Sequence, residues 1–170
     1  VSYYGYGTLD SPWYAVPSDH YRRVWKPVTE SEALISVAGP ATTEGSTRPS
    51  AVDFYMYCRQ SGRWPELAAG TTDIQELRRY SPTYRITREF PPTLLLHGTD
   101  DHDVPHEESA AFAALLRLHD VDHEFISLEG FDHGLVPGDD PERIRRSTAA
   151  TVQAKRFIAR HLSLSSTRAK

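Results

Sequence analysis

Two residues of this sequence offer chemistry on which a function could be built: Asp101, in the stretch HGTDDHDVP, and His133, in FDHGL. A carboxylate that holds one imidazole nitrogen leaves the other able to take a proton from a hydroxyl, which is two thirds of a nucleophilic triad. The residues are distant in the sequence, so the chemistry depends on whether the intervening elements bring them together. Around Asp101, the group Asp100, Asp101, His102, Asp103 and His106 has ligand types that suit zinc or manganese. It lacks an HExxH-like helical pair, so a solvated acidic loop is the better reading and no metal is expected. His97 directly follows an apolar run and reads as a hydrogen-bonded structural histidine. Cys58 has no adjacent base and reads as a small buried hydrophobe.

The elements that would position the pair are legible around them. Thr93 to Leu96 is a short apolar run between two prolines and His97-Gly98, as in a strand buried on both faces of a parallel sheet. Thr99 to Asp103 is then a loop at its carboxyl end. Val104-Pro105 opens a helix, with proline expected at the first helical position and Glu107 and Glu108 in the first turn. Phe112, Leu115, Leu116 and His119 share one face of it. Asp120 to Asp122 end the helix, Glu124 to Leu128 is a second strand, and Gly130 to Gly134 is the turn after it. Strand, helix and strand in this order make a right-handed crossover with parallel strands. Both loops then emerge at the same sheet edge, where open α/β sheets place their ligands, so Asp101 and His133 can meet.

The patterns HGTDDHDVP and FDHGL, with a helix between them, resemble the last part of the α/β-hydrolase fold. The resemblance is greatest to its dienelactone-hydrolase-like and acyl-esterase-like branch and the prolyl-oligopeptidase-like relatives. It is specific over residues 91–135 and looser elsewhere. It implies that Asp101, the fifth residue of HGxxDxxVP, is the triad acid and that His133 is the base. It further implies an α/β chain made of the last three parallel strands with flanking helices and a helical cap insertion. The implied activity is serine hydrolysis of carboxylic esters, with peptide hydrolysis as the alternative and no cofactor.

Composition narrows the setting. The chain has 170 residues, 39% hydrophobic and 25% charged, enough for one domain, with a mean hydropathy of −0.51. A net charge of −4 and a pI near 6.1 argue against a nucleic-acid or anionic-membrane surface. The single cysteine excludes an internal disulfide. No apolar run approaches the roughly 20 residues that span a bilayer, and no signal peptide is visible, so a soluble, cytoplasmic protein is expected.

Val1 to Tyr4 reads as a first strand, and Gly5-Tyr6-Gly7 as a simple turn. A strand with no approach segment and no leading methionine suggests a piece of a longer polypeptide, and the resemblance implies that it begins just after the strand and helix that would bear a nucleophile. Residues 8–28, rich in aromatics and prolines, read as an ordered loop. Thr29 and Glu32 have the spacing of a capping box, opening a helix to Ala38 in which Leu34 and Val37 share a face. Residues 40–49 read as a mobile loop. Ser50 and Asp53 repeat the capping pattern for a helix ending at Ser61-Gly62, with Val52, Tyr55 and Met56 together, and a short helix covers Asp73 to Arg79. A minimal crossover needs only about 12 residues, so the excess over 28–80 reads as a cap or lid. Within it Tyr55, Tyr57 and Trp64 are candidate substrate contacts, weighed against a role in the cap's own core. Pro141 starts the last helix, with Ile144, Val152, Ile158 and Leu162 near helical spacing, and 163–170 is a polar tail.

One element is missing from the sequence: no GxSxG nucleophile elbow and no HGG-type oxyanion loop occur in it. The chain alone is therefore expected to be inactive or nearly so. The rival reading is a non-catalytic module or subunit that completes a site with a partner. Either way, the edge of Val1 to Tyr4 left without a neighbouring strand is expected to drive homo-oligomerisation.

Overall fold

The computed structural model describes residues 1–40 and 51–167. In chain order the elements are β1 (Ser2–Tyr3), α1 (Asp19–Val24), α2 (Glu30–Ser36), α3 (Val52–Ser61), α4 (Trp64–Ala69), α5 (Ile74–Arg79), β2 (Thr93–Gly98), α6 (His106–Leu118), β3 (His123–Leu128) and α7 (Pro141–Thr167). Single turns of 3-10 helix occupy Pro12–Tyr14 and Pro82–Arg85. These elements divide into two compact units: Val1–Gly7 with the described residues from Pro82 onward, and the described residues of Thr8–Ser81.

The first unit is a three-stranded parallel sheet in the order β1-β2-β3. Its central strand alternates its side chains between two layers. Leu94 and Leu96 face α7 in a cluster with Leu128, Phe131, Ala150, Ala154 and Phe157. Leu95 faces α6 with Ile86, Phe112, Ala113, Leu116 and Val121. Each leucine so buried stabilises the unit by about 1.5–3 kcal/mol, which is why the run Thr93 to Leu96 is apolar without alternation. β2 and β3 are in register from Thr93↔His123 to Gly98↔Leu128, so both strands end at one level and release their loops side by side.

Helix α6 starts one residue later than the sequence suggests. Pro105 has ψ 132°, an extended conformation, and is the N-cap residue rather than the first helical one. In α7 the inward stripe also differs. Ile144, Val152, Ile158 and Leu162 are all exposed, and Ala150, Ala154 and Phe157 are buried instead. Two alanines and Phe157 thus face the sheet, and the large aliphatics are turned outward. The helix runs on to Thr167, past the start of the expected tail.

The second unit is helical and begins well before residue 28, because the aromatic stretch packs with the helices. Tyr14 is buried and stacks on Trp13 at 3.6 Å. The Arg59 guanidinium lies over the rings of Trp13, Tyr14 and Tyr21. Instead of a loop, residues 8–28 therefore hold a 3-10 turn and α1. In α2 the capping box forms as its spacing suggests, with Thr29 N–H donating to Glu32 Oε2 at 2.8 Å and Glu32 N–H to Thr29 Oγ1 at 3.3 Å. Its buried residue is Ala33, however, and Leu34 is exposed. Val52 is also exposed, and Met56 carries the inward face of α3. That helix stops at Gly62, whose left-handed φ of 73° no other residue adopts without strain. Except for Pro40, the expected mobile loop at 40–49 lies outside the described residues, as does Ser50. No helix among the described residues is long and apolar enough to cross a membrane.

Candidate active site

The acid loop, named for the role expected of Asp101, begins where β2 runs out at Gly98. The turn is held by Asp101 itself, whose Oδ1 accepts the backbone N–H groups of Asp103 at 2.7 Å and Val104 at 2.8 Å. The base loop, named for the role expected of His133, follows β3, and two bonds lock its first residues to the acid loop. Asp100 N–H donates to Phe131 O at 2.9 Å, and Gly130 N–H donates to Thr99 Oγ1 at 2.8 Å. Gly98 is required by this closeness, because a Cβ there would sit 2.2 Å from Phe131 O.

Across this junction, His133 Nδ1 lies 2.9 Å from Asp101 Oδ2. With a carboxylate facing it, Nδ1 carries the proton and Nε2 holds the lone pair of the neutral ring. Nε2 is 3.5 Å from Asp103 Oδ2, too long for a good hydrogen bond. The Asp101 side chain is fully buried and that of His133 is 38% exposed, so the carboxylate is sheltered while the imidazole can be reached.

Burial opposes ionisation of Asp101, but hydrogen bonds from His133, His97, Val104 and Asp103 outweigh it and hold the carboxyl well below the usual carboxylate range. For His133, the bond to Asp101 raises the pKa, burial works against it, and the charges of Asp101, Asp103 and Asp132 add to the rise. The pair is thus an ionised carboxylate fixing the proton of an unusually basic imidazole.

Three neighbours were not assigned to this pair from the sequence. His97 is fully buried, and its Nε2 faces two acceptors, Asp101 Oδ2 at 3.0 Å and Val104 O at 3.0 Å. That nitrogen therefore donates, and in the neutral ring Nδ1 accepts from Ser109 Oγ at 2.7 Å. Asp101 Oδ2 so receives two imidazole donors. The signal was present: a histidine ending a buried apolar run must find partners for both nitrogens. Tyr4 follows β1 with φ 41°, a conformation that costs a tyrosine roughly 1–2 kcal/mol. Its N–H bonds Leu96 O at 2.7 Å and its ring lies 4.2 Å from that of His133. Arg143, in the first turn of α7, reaches back to the base loop. No short sequence signal marks Tyr4 or Arg143.

The other candidates have other partners. Tyr55, Tyr57 and Trp64 belong to the helical unit, where Tyr55 packs edge-on against Trp64 at 5.1 Å and Tyr57 Oη accepts from Arg63 Nη1 at 2.9 Å. A cavity of about 280 Å³ in that unit is lined by Leu9, Ala15, Pro65, Ile74 and Leu77 among others, and by none of the three. Of the acidic-loop residues, Asp100 and His102 are exposed and His106 Nε2 meets Ser127 Oγ at 2.8 Å. No group of three metal-ligating side chains able to hold an ion occurs among the described residues. Cys58 is buried, which pushes its thiol up to about 11.

Comparison with known proteins identifies one family. A profile described as the prolyl oligopeptidase family matches residues 46–162. No curated protein matches the chain. Among solved structures, a protein of unknown function from Staphylococcus aureus is 18% identical with a TM-score of 0.62, over 89% of this chain and 54% of its own. A thermophilic esterase from Thermogutta terrifontis is 26% identical with a TM-score of 0.40, over 46% of this chain and 29% of its own. A sugar hydrolase from Lactococcus lactis is 27% identical with a TM-score of 0.43, over 58% and 44%. The chain thus spans between 29% and 54% of the length of these structures. Its parallel strands and flanking helices are part of an α/β-hydrolase fold.

Proposed function

The chain belongs to the prolyl oligopeptidase family, and on that premise we propose that Asp101 and His133 are the orienting acid and general base of a serine hydrolase whose nucleophile comes from a segment outside this sequence. The observation that carries the reading is the 2.9 Å bond between Asp101 Oδ2 and His133 Nδ1 at the carboxyl edge of a parallel sheet. In the reaction a serine Oγ attacks the carbonyl carbon, and His133 Nε2 takes its proton and later returns it to the leaving group. Asp101 stays ionised, fixes the ring and stabilises its cationic form. The raised basicity of His133 suits the first of these steps. Acyl transfer of this kind needs no cofactor.

The substrate is read as a carboxylic ester, on the strength of the HGxxDxxVP and FDHGL patterns. A peptide bond is the second reading, and the family match favours it. Residues 28–80, between β1 and β2 in the sequence, are read as the cap, with Tyr55, Tyr57 and Trp64 as its candidate substrate contacts. A cytoplasmic location and self-association through the edge of β1, which pairs only with β2 among the described residues, belong to the same reading.

The test is hydrolysis of p-nitrophenyl esters and peptide p-nitroanilides by a longer polypeptide that includes the nucleophile segment. Asp101→Asn is expected to lower kcat by about 10⁴-fold, and His133→Ala comparably. Losses below about 10²-fold for both would sink the assignment, because a positioned general base contributes at least that much.

A further inference from the structure

We propose that Arg143 is a positioning residue for His133, one guanidinium holding both ends of the base loop in place. The inference rests on the reading of His133 as the base. The loop between β3 and α7 reverses direction repeatedly, with left-handed backbone at Gly130 (φ 77°), Leu135 (φ 51°) and Gly138 (φ 63°). Its own backbone contributes one turn bond across the tip, Leu135 N–H to Asp132 O at 3.1 Å. The bonds from Asp100 and to Thr99 hold only its first residues, and the Leu135 side chain gives the far side an apolar anchor.

Arg143 ties the two sides together. Nη1 donates to Gly130 O at 2.7 Å, before His133 in the chain, while Nη2 donates to Val136 O at 3.3 Å and Nε to Pro137 O at 3.2 Å, after it. Its Cζ lies 4.2 Å from the centre of the fully buried Phe131 ring, so the guanidinium plane is seated as well as hydrogen-bonded. Arg146 adds a bond to Glu129 O at 3.0 Å on the near side only. A cation in the first turn of a helix sits at the unfavourable end of the helix dipole, so helix stability does not account for Arg143, whereas the three carbonyls do. A lysine could not replace it, because a point charge lacks the planar fork that reaches separate acceptors.

The consequence is read at His133 itself. The charged groups around that ring are Asp101 and Asp103 from the acid loop and Asp132 from its own loop, with the Tyr4 ring against it from the turn after β1. If Arg143 sets the distance to Asp101, loosening the loop weakens the 2.9 Å bond that makes the imidazole basic.

The experiment is an NMR titration of the His133 imidazole in the chain, with hydrogen exchange of the β2 amides as a check on the fold. In the wild type the midpoint is expected above the ordinary value of about 6.5. Arg143→Ala and Arg143→Lys are both expected to move it down toward that value with β2 still protected. Arg160→Ala, which removes pairings with Asp122 and Glu124, is expected to leave it in place. An unmoved midpoint in both Arg143 variants would overturn the inference. If the alanine variant fails to fold, the lysine variant decides, and loss of β2 protection in that variant too would make Arg143 a general stability element and overturn the inference equally. Asp101→Asn separates the two proposals. If it leaves the midpoint unchanged, the reading of the acid–base pair fails. If it lowers the midpoint while the Arg143 variants do not, only the positioning role fails.

Discussion

Asp101 accepts four hydrogen bonds with its two carboxylate oxygens, two from backbone N–H groups that shape its own loop and two from imidazoles. One residue therefore builds the turn and orients the His133 imidazole, and its charge is sheltered from water. The linkage has a definite sign. The raised pKa of His133 contributes stability that is full below about 6.5 and lost as pH rises through the higher folded value. The lowered pKa of Asp101 contributes stability that is full above about 3.8 and lost as pH falls through the lower folded value. The stability difference between wild type and Asp101→Asn, from urea unfolding, is thus expected to be largest between about pH 4 and 6.5 and smaller at pH 9. A difference that grows toward pH 9 would contradict the pairing. Asp101 and His133 could be matched from sequence because each closes a strand, and parallel strands deliver such loops to one edge. That His97 donates to the same carboxylate oxygen could not be read there. The donor nitrogen is set by Val104 O, whose position depends on how the loop turns.

The junction of β2, β3 and their loops is where packing enforces the site. Gly98→Ala would drive a Cβ into Phe131 O, and the obstacle is backbone, so the base loop must move away. The expected cost is about 1–3 kcal/mol, as for other overpacked positions. Helix α7 supports the same loop from below through Ala150, Ala154 and Phe157. Ala154→Leu is expected to cost a similar amount, about 1–3 kcal/mol, whereas the exposed Ile158→Ala should stay within about 0.5 kcal/mol of wild type. Thermal unfolding of the three variants checks the order, and an Ile158 variant that loses as much as Ala154→Leu would show that the buried stripe has been misplaced. The strand, helix, strand order was legible because β2 is a continuous apolar run and α6 has a clear amphipathic period. The stripe of α7 was not, because large aliphatics normally mark the inward face. Here that face carries Ala150, Ala154 and Phe157, and a hydrophobicity pattern underweights the alanines.

Taken whole, the chain contains a parallel α/β unit with the Asp101–His133 pair at its loop edge, and a helical unit that lies between its first two strands in the sequence. The first of these was largely legible from two motifs and the rule of parallel crossovers. The aromatic start of the second at Trp13 and Tyr14 was not, since proline-rich aromatic sequence reads as loop until Arg59 is seen to gather the rings. What the sequence lacks is a GxSxG elbow to supply the attacking oxygen. The central claim is that this chain holds the base and acid of a hydrolase but not its nucleophile, and a fluorophosphonate probe tests it most directly. The chain by itself is expected to remain unlabelled, while a longer polypeptide carrying the nucleophile segment is labelled at a serine and loses that labelling with His133→Ala. A serine of the chain alone that reacts with the probe, or labelling of the longer polypeptide that does not depend on His133, would contradict the account.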